Sequence, residues 1–172
     1  MLVVLSDTHA REEPDLTPAI REALTTSDGL IHAGDFVREP VLDAFEAMVP
    51  TVYAVYGNVD DDGIRDRLQR ARLLDHLGFT ILVVHTVRGG QTGLATFGRQ
   101  NNADLVISGH THTPGYTWTG EIGLLNPGSH SQPRGNRPAF ATLSVEDNRL
   151  QGTLCDPDGT PFERFEVQGE HC

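Results

Sequence analysis

The chain has 172 residues, which suits one domain with an apolar core, and we expect residues 1–172 to form a single domain. Its formal charge is −11, from 24 acidic residues and 13 arginines with no lysine, so electrostatic binding to long nucleic acids or anionic membranes is disfavoured. The missing lysine fits adaptation to a salty cytoplasm, which we favour, or a codon bias toward arginine. The two cysteines, Cys155 and Cys172, provide neither a disulfide framework nor a cysteine zinc site.

The N-terminal residues MLVVLSD run directly into an apolar strand, without a basic leader or a cleavage site. No apolar run approaches the length that spans a membrane. We therefore predict a cytoplasmic protein with no membrane association. A homo-oligomer is compatible with the sequence.

Short apolar runs alternate with amphipathic stretches over the first two thirds of the chain, which is typical of βαβ units around a parallel sheet. The runs are continuously apolar, as expected of strands buried on both faces. They span residues 2–5, 30–32, 52–56, 79–84 and 105–107. The intervening patterns predict four helices, which begin at Thr17-Pro18, at Pro40, near residue 64 (to 71) and near residue 94 (to 100).

The pattern changes after residue 112 to short strands separated by Gly, Asn, Asp and Pro turns. The predicted strands span residues 116–118, 122–125, 139–145, 150–155 and 162–167. We therefore expect an antiparallel meander in the last third. The whole chain is expected to form a mixed α/β sandwich of two packed sheets with helices outside.

Polar side chains follow each of the five apolar runs, in the sequences SDTH, HAGD, GNVD, a single histidine and GHTH. Each motif alone is weak, but the carboxyl ends of parallel strands lie along one sheet edge, where ligands bind. Their carboxylate, amide and imidazole groups suit Mn²⁺, Fe, Zn²⁺, Co²⁺ or Ni²⁺. Seven donors exceed the need of one ion, which predicts two ions that share a carboxylate. The candidate ligands are Asp7, His9, Asp35, Asn58, His85, His110 and His112.

These ordered motifs resemble those of the calcineurin-like metallophosphoesterases. The segment from Asn126 to Ser129, followed by Pro133-Arg134, is similar to the signature of the small YfcE-like phosphodiesterase branch, which also contains a retromer subunit. The resemblance implies a four-layer α/β/β/α sandwich with a mixed parallel/antiparallel double sheet. It also implies a binuclear metal centre. One ion would be held by Asp7, His9 and His112, the other by Asn58, His85 and His110, with Asp35 bridging the pair.

The implied activity is hydrolysis of a small phosphoester, with a diester favoured, by in-line attack of a metal-bridging hydroxide on phosphorus. Manganese is the favoured ion, and Ni, Co, Zn, Fe or Mg are compatible. Val59 stands where many members carry a histidine that can protonate the leaving group. Valine cannot do this, so we expect a preference for diesters and activated aryl esters over alkyl monoesters. A non-catalytic metal-binding scaffold and a small-nucleotide nuclease are the alternatives. The residues expected to take part in catalysis are Asp35, Asn58, His85 and His110.

Neighbouring residues carry weaker expectations. Asp60 either orients a ligand histidine or stabilises its own turn. We expect His32 to pack behind Asp35. His130 either reaches the substrate from the loop that follows Asn126 or, as we favour, is a surface histidine. Residues 89–93 are expected to form a flexible connector, and Thr86 to affect loop geometry or substrate access.

Overall fold

The computed structural model describes residues 1–167, whose strands form two mixed sheets. Cys172 lies outside this range. The first sheet has the order β11-β10-β9-β1-β2-β3, formed by Pro161–Val167, Arg149–Cys155, Phe140–Glu146, Leu2–Leu5, Gly29–His32 and Val52–Ala54. The second sheet has the order β4-β5-β6-β8-β7, formed by Ala71–His76, Phe79–Val84, Leu105–Ile107, Gly123–Asn126 and Gly115–Trp118.

Helices cover the outer face of each sheet, which confirms the four-layer α/β/β/α sandwich. Side chains of the buried strands alternate between two cores. Val4 and Ile31 pack between the sheets with Ile81, whereas Val3 and Leu30 face the helices. This double burial explains why the strands are continuously apolar. The helices are α1 (Pro18–Thr25), α2 (Glu39–Met48) and α3 (Asp62–Arg67) on the first sheet, and α4 (Gly90–Gln100) on the second.

The third predicted helix is wrong in its second half. Helix α3 ends at Arg67, and the strand β4 begins at Ala71 and pairs antiparallel with β5. The hairpin turns at Leu77 and Gly78, whose φ angles of 53° and 91° both lie in the left-handed region. Strand pairing therefore overrides the local helical pattern.

The predicted start of the fourth helix and the predicted flexible connector are also wrong. Helix α4 begins at Gly90, so most of residues 89–93 are helical. The amide of Gly93 already donates to the carbonyl of Gly89 at 3.2 Å. The left-handed φ of Gly89, 92°, allows the chain to enter the helix there.

The predicted meander does not form as a single unit. β7 and β8 form a hairpin in the second sheet, where β8 lies parallel to β6. β9, β10 and β11 then run antiparallel in the first sheet, with β9 against β1. Within the described residues, no helix is long and apolar enough to cross a bilayer.

Candidate metal centre

Seven side chains converge where the carboxyl ends of the parallel strands of both sheets meet. The loops after β1, β2 and β3 carry four of them, and the loops after β5 and β6 carry three. Backbone hydrogen bonds hold the first two loops together, from the amide of Asp7 to the carbonyl of Gly34 (2.9 Å) and from His9 to Asp35 (3.0 Å). The structure thus brings together all seven residues selected from the sequence, namely Asp7, His9, Asp35, Asn58, His85, His110 and His112.

Asp7, His9 and His112 form one half of this cluster. Oδ1 of Asp7 lies 3.2 Å from Nε2 of His112 and 3.7 Å from Nε2 of His9, and the two Nε2 atoms are 3.3 Å apart. The other oxygen of Asp7 accepts hydrogen bonds from the hydroxyl of Ser6 (2.7 Å) and the amide of His110 (3.0 Å). These bonds fix the carboxylate with Oδ1 facing the two imidazoles.

Asp35, Asn58, His85 and His110 form the other half. Oδ2 of Asp35 lies 3.3 Å from Nε2 of His85, while its Oδ1 accepts from the amide of Val59 at 3.1 Å. Oδ1 of Asn58 lies 3.1 Å from Nε2 of His85 and 2.9 Å from Nδ1 of His110. Oδ2 of Asp35 is also 3.7 Å from Nε2 of His9, so this carboxylate contacts both halves.

In two of the histidines, the ring nitrogen that does not contact a backbone carbonyl faces oxygen acceptors. Nδ1 of His85 contacts the carbonyl of Ala33 at 2.8 Å, and Nδ1 of His112 contacts the carbonyl of Gln132. Each Nδ1 must therefore donate, which leaves Nε2 of the neutral ring as an acceptor. Each Nε2 nevertheless faces carboxylate or amide oxygen. A second proton on the ring or a cation between the atoms satisfies this arrangement, and carbonyl-bonded imidazoles are typical of metal ligands. The residues present therefore fit divalent metal ions.

Electrostatics around Asp35 and His85 also favour a bound cation. Burial by itself raises the pKa of Asp35, but its hydrogen bond with His85 holds that pKa below the usual range. Burial opposes the charged form of His85, yet the hydrogen bond with Asp35 raises its pKa. Because the pair attracts positive charge, protons should compete with metal here as the pH falls.

Most candidate ligands have an unusual backbone. Their φ angles are 52° at Asp7, 47° at His9, 62° at Asp35, 72° at His110 and 56° at His112. Side chains rarely adopt this left-handed region, and its cost of about 1–3 kcal/mol per residue is tolerated mainly at functional sites. The loops turn sharply here to aim the donor atoms at one point.

Two glycines allow the loops to approach closely. A Cβ at Gly57 would lie 2.0 Å from Oδ1 and 2.6 Å from the amide of Asp35. A Cβ at Gly109 would lie 1.9 Å from the hydroxyl of Ser6. The glycines of the GNVD and GHTH motifs are therefore required by contact with the neighbouring ligand loops.

Asp60 joins the loops through their backbones rather than orienting a histidine. Its buried carboxylate accepts hydrogen bonds from the amides of Asp35 (3.0 Å), Val37 (2.7 Å) and Gly57 (2.7 Å). Burial raises its pKa against these hydrogen bonds. Of the two expectations for this residue, the structure favours stabilisation of the turn, and it extends that role to the loop after β2.

The loop after β8 braces the centre, a role that the sequence did not reveal. The hydroxyl of Ser129 donates to the carbonyl of Asp7 (2.8 Å), and that of Ser131 donates to the carbonyl of Thr8 (2.7 Å). The expectation of a surface histidine at His130 is wrong, because only 8% of this residue is exposed. The NPGS motif was the available signal, but a motif does not show which backbone it contacts.

His32 lies behind the centre, as expected. It is fully buried, with Nε2 2.8 Å from the hydroxyl of Thr8, and its Nδ1 accepts from the amide of Gly34 at 3.2 Å. Its ring stacks on Phe36 with centroids 3.6 Å apart. Burial lowers the pKa of His32 well below its ordinary value, so the ring is neutral and supports the two ligand loops.

The fold and the donor set together are those of the metal-dependent phosphoesterases. The chain belongs to the calcineurin-like phosphoesterase superfamily, whose domain matches residues 1–148. This family assignment agrees with the resemblance seen in the motifs.

Similar proteins cover most of the chain. It is 35% identical over 159 residues to the probable metallophosphoesterase MJ0623 of Methanocaldococcus jannaschii, covering 90% of this chain and 80% of that protein. It is 30% identical over 163 residues to the phosphodiesterase MJ0936 of the same organism, covering 83% and 92%. Vps29 of Entamoeba histolytica, solved in complex with zinc, has a TM-score of 0.81 at 23% identity over 97% of this chain and 99% of that one, which shows a shared fold.

Proposed function

We propose that this chain is a phosphodiesterase that uses two divalent metal ions. The observation that carries the proposal is the pair of imidazole acceptors, on His85 and His112, that face other acceptors in the cluster. When bound, the ions supply an activated water nucleophile and positive charge for the phosphoryl oxygens, and manganese is our favoured ion. Asp7, His9 and His112 would hold one ion and Asn58, His85 and His110 the other, with Asp35 shared.

The chain's own groups would position the phosphate. Asp35 serves as the shared ligand because its Oδ2 contacts histidines of both halves. The Nδ2 of Asn58 makes no hydrogen bond within residues 1–167, so it is free to donate to a phosphoryl oxygen. His110 is exposed at the edge of the cluster, where its ring would contact the substrate.

Val59 sets the expected substrate preference. Its side chain is 41% exposed beside Asn58, and valine offers no proton to a leaving group. Without a general acid, departure of a poor alkoxide should be slower by about 10²–10⁴-fold. Diesters and activated aryl esters should therefore be cleaved faster than alkyl monoesters.

The test compares hydrolysis of bis-p-nitrophenyl phosphate with that of p-nitrophenyl phosphate. Metal-stripped protein would receive Mn²⁺, Ni²⁺, Co²⁺, Zn²⁺ or Mg²⁺, beside Asp35→Asn and a control, Asp147→Asn, in the exposed turn after β9. We expect metal-dependent diester cleavage that Asp35→Asn abolishes and Asp147→Asn retains. Calorimetry should count two bound ions per chain.

Other outcomes would favour the alternatives. Folded protein that binds two ions but hydrolyses no phosphoester would favour the scaffold. Faster cleavage of dinucleotides than of aryl diesters would favour the small-nucleotide nuclease. Equal or faster turnover of alkyl monoesters would contradict the role given to Val59. The cytoplasmic location also belongs to the proposal, and fractionation of the source cells tests it.

A further inference from the structure

Two cavities border the candidate centre, and both are lined by His85 and Thr86. The larger, of about 430 Å³, has apolar walls that include Val87, Leu94 and Leu124, with threonine hydroxyls beside them. The smaller, of about 290 Å³, is lined by Tyr56, Gly57, Asn58, Arg65 and Arg70 besides the two shared residues. The two ester arms of a phosphodiester bound at the centre could therefore occupy two chemically different cavities.

Hydrogen bonds to backbone carbonyls position Arg65 in the smaller cavity. Its Nε donates to the carbonyl of Asp60 at 2.8 Å, its Nη2 donates to the carbonyl of Asn58 at 3.0 Å, and its guanidinium lies 5.2 Å from the ring centroid of Tyr56. All these partners are neutral. Arg65 also forms no ion pair with a carboxylate of residues 1–167, so its positive charge is not compensated there.

Arg70 adds a second uncompensated charge to the same cavity. Its side chain is exposed and makes no hydrogen bond or ion pair with any residue in the described part of the chain. By contrast, Arg67 pairs with Asp43 at 2.7 Å and Arg137 pairs with Asp156 at 2.6 Å. No carboxylate side chain is among the described residues that line this cavity.

We propose that the substrate carries a second anionic group, a phosphate or a carboxylate, on the ester arm that faces Asn58, and that Arg70 and Arg65 bind this group. The inference rests on the proposed phosphodiesterase function. A protein of net charge −11 repels anions in general, whereas two arginines at one cavity provide local positive charge that attracts an anion. A planar guanidinium group can donate two parallel hydrogen bonds to two oxygens of one carboxylate or phosphate. The other, uncharged arm would occupy the larger cavity.

The experiment uses three p-nitrophenyl diesters that differ only in the second arm, which is carboxypropyl, phosphonooxypropyl or the uncharged carbamoylpropyl. We expect kcat/KM for the anionic arms to exceed that for carbamoylpropyl by about tenfold at low salt, mainly through KM. Arg70→Gln should reduce this ratio to about threefold, because Arg65 remains, and Arg70→Lys should keep more of it. Arg149→Gln, which changes an exposed arginine on β10, should keep the wild-type ratio. The larger ratio of the two anionic arms identifies phosphate or carboxylate as the preferred group.

Binding provides a readout that does not require turnover. Calorimetry of non-cleavable phosphonate analogues of the three diesters should show the same order of affinity and the same loss in Arg70→Gln. Equal affinity for charged and uncharged analogues, or a preference that is undiminished in Arg70→Gln, would overturn the inference. Absence of hydrolysis from all diesters, with selective binding of the anionic analogues intact, would refute the phosphodiesterase and leave the anion site supported.

Discussion

Replacing His130 with leucine should make the fold less sensitive to acid. In the described residues neither ring nitrogen of His130 has a hydrogen-bond partner, and only 8% of the residue is exposed. Burial lowers the pKa of His130 from 6.5 to about 4, although the nearby carboxylate of Asp15 opposes this change. The folded protein therefore keeps the ring neutral at pH values where the unfolded chain binds a proton.

The sign and size of the effect follow from this difference in pKa. Because the unfolded chain binds the extra proton, the free energy of unfolding falls as the pH drops from about 6.5 to about 4. At 1.36 kcal/mol per pKa unit, the full loss attributable to His130 is about 3 kcal/mol. Between pH 7 and pH 4.5 we expect about 2 kcal/mol of that loss. The leucine variant has no titratable group at this position, so its free energy of unfolding should fall by that much less over the same pH range.

The assay is urea unfolding of metal-stripped protein at several pH values, for wild type, His130→Leu and the control Gly115→Ala in β7, which changes no titratable group. The readout is the change in stability with pH, so an overall stability difference caused by leucine does not matter. His32 and the candidate ligands contribute equally to all three proteins. Parallel pH profiles for wild type and His130→Leu would refute the reasoning, because they would mean that His130 has the same pKa in both states.

Three further changes test the centre and the surface. Asp60→Asn should lower the free energy of unfolding by about 3 kcal/mol and weaken metal binding, because the asparagine side chain cannot accept from all three backbone N–H groups. Chemical unfolding and calorimetry measure these two effects, with Asp147→Asn as the control. Gly57→Ala should abolish metal binding because its Cβ would collide with Asp35, whereas Gly115→Ala, which has no atom within 4 Å of the added Cβ, should retain it. The melting temperature should rise from low to molar KCl, because screening weakens repulsion among 24 acidic residues, and a melting temperature that ignores salt would contradict salt adaptation.

The candidate site could be read from the sequence because its donors follow buried strands directly. Once the apolar runs ending at Leu5 and His32 were recognised, Asp7 and Asp35 had to lie at the same sheet edge. Thr17 likewise marked the start of α1, since its hydroxyl accepts from the amide of Ile20. Local chemistry determined these features, so local patterns were sufficient to predict them.

The features that the sequence did not predict depend on tertiary contacts. The predicted third helix ended at Ala71, where β4 begins, and no strand was predicted for the residues that follow; their pairing with β5 makes them a strand. β8 carries no signal that it pairs parallel with β6 rather than with β9. His130 follows an NPGS loop that looks exposed, and the packing of that loop on the Asp7 loop buries it.

The candidate ligands come from both sheets, with Asp7, Asp35 and Asn58 on one side and His85 and His112 on the other. A bound pair of ions would therefore link the two sheets and stabilise the fold, in addition to any catalytic role. At a hundredfold excess over its Kd, each site would add about 2.7 kcal/mol against unfolding. In a cell starved of metal, this protein should accordingly become a better substrate for proteases, so that its abundance would follow the metal supply.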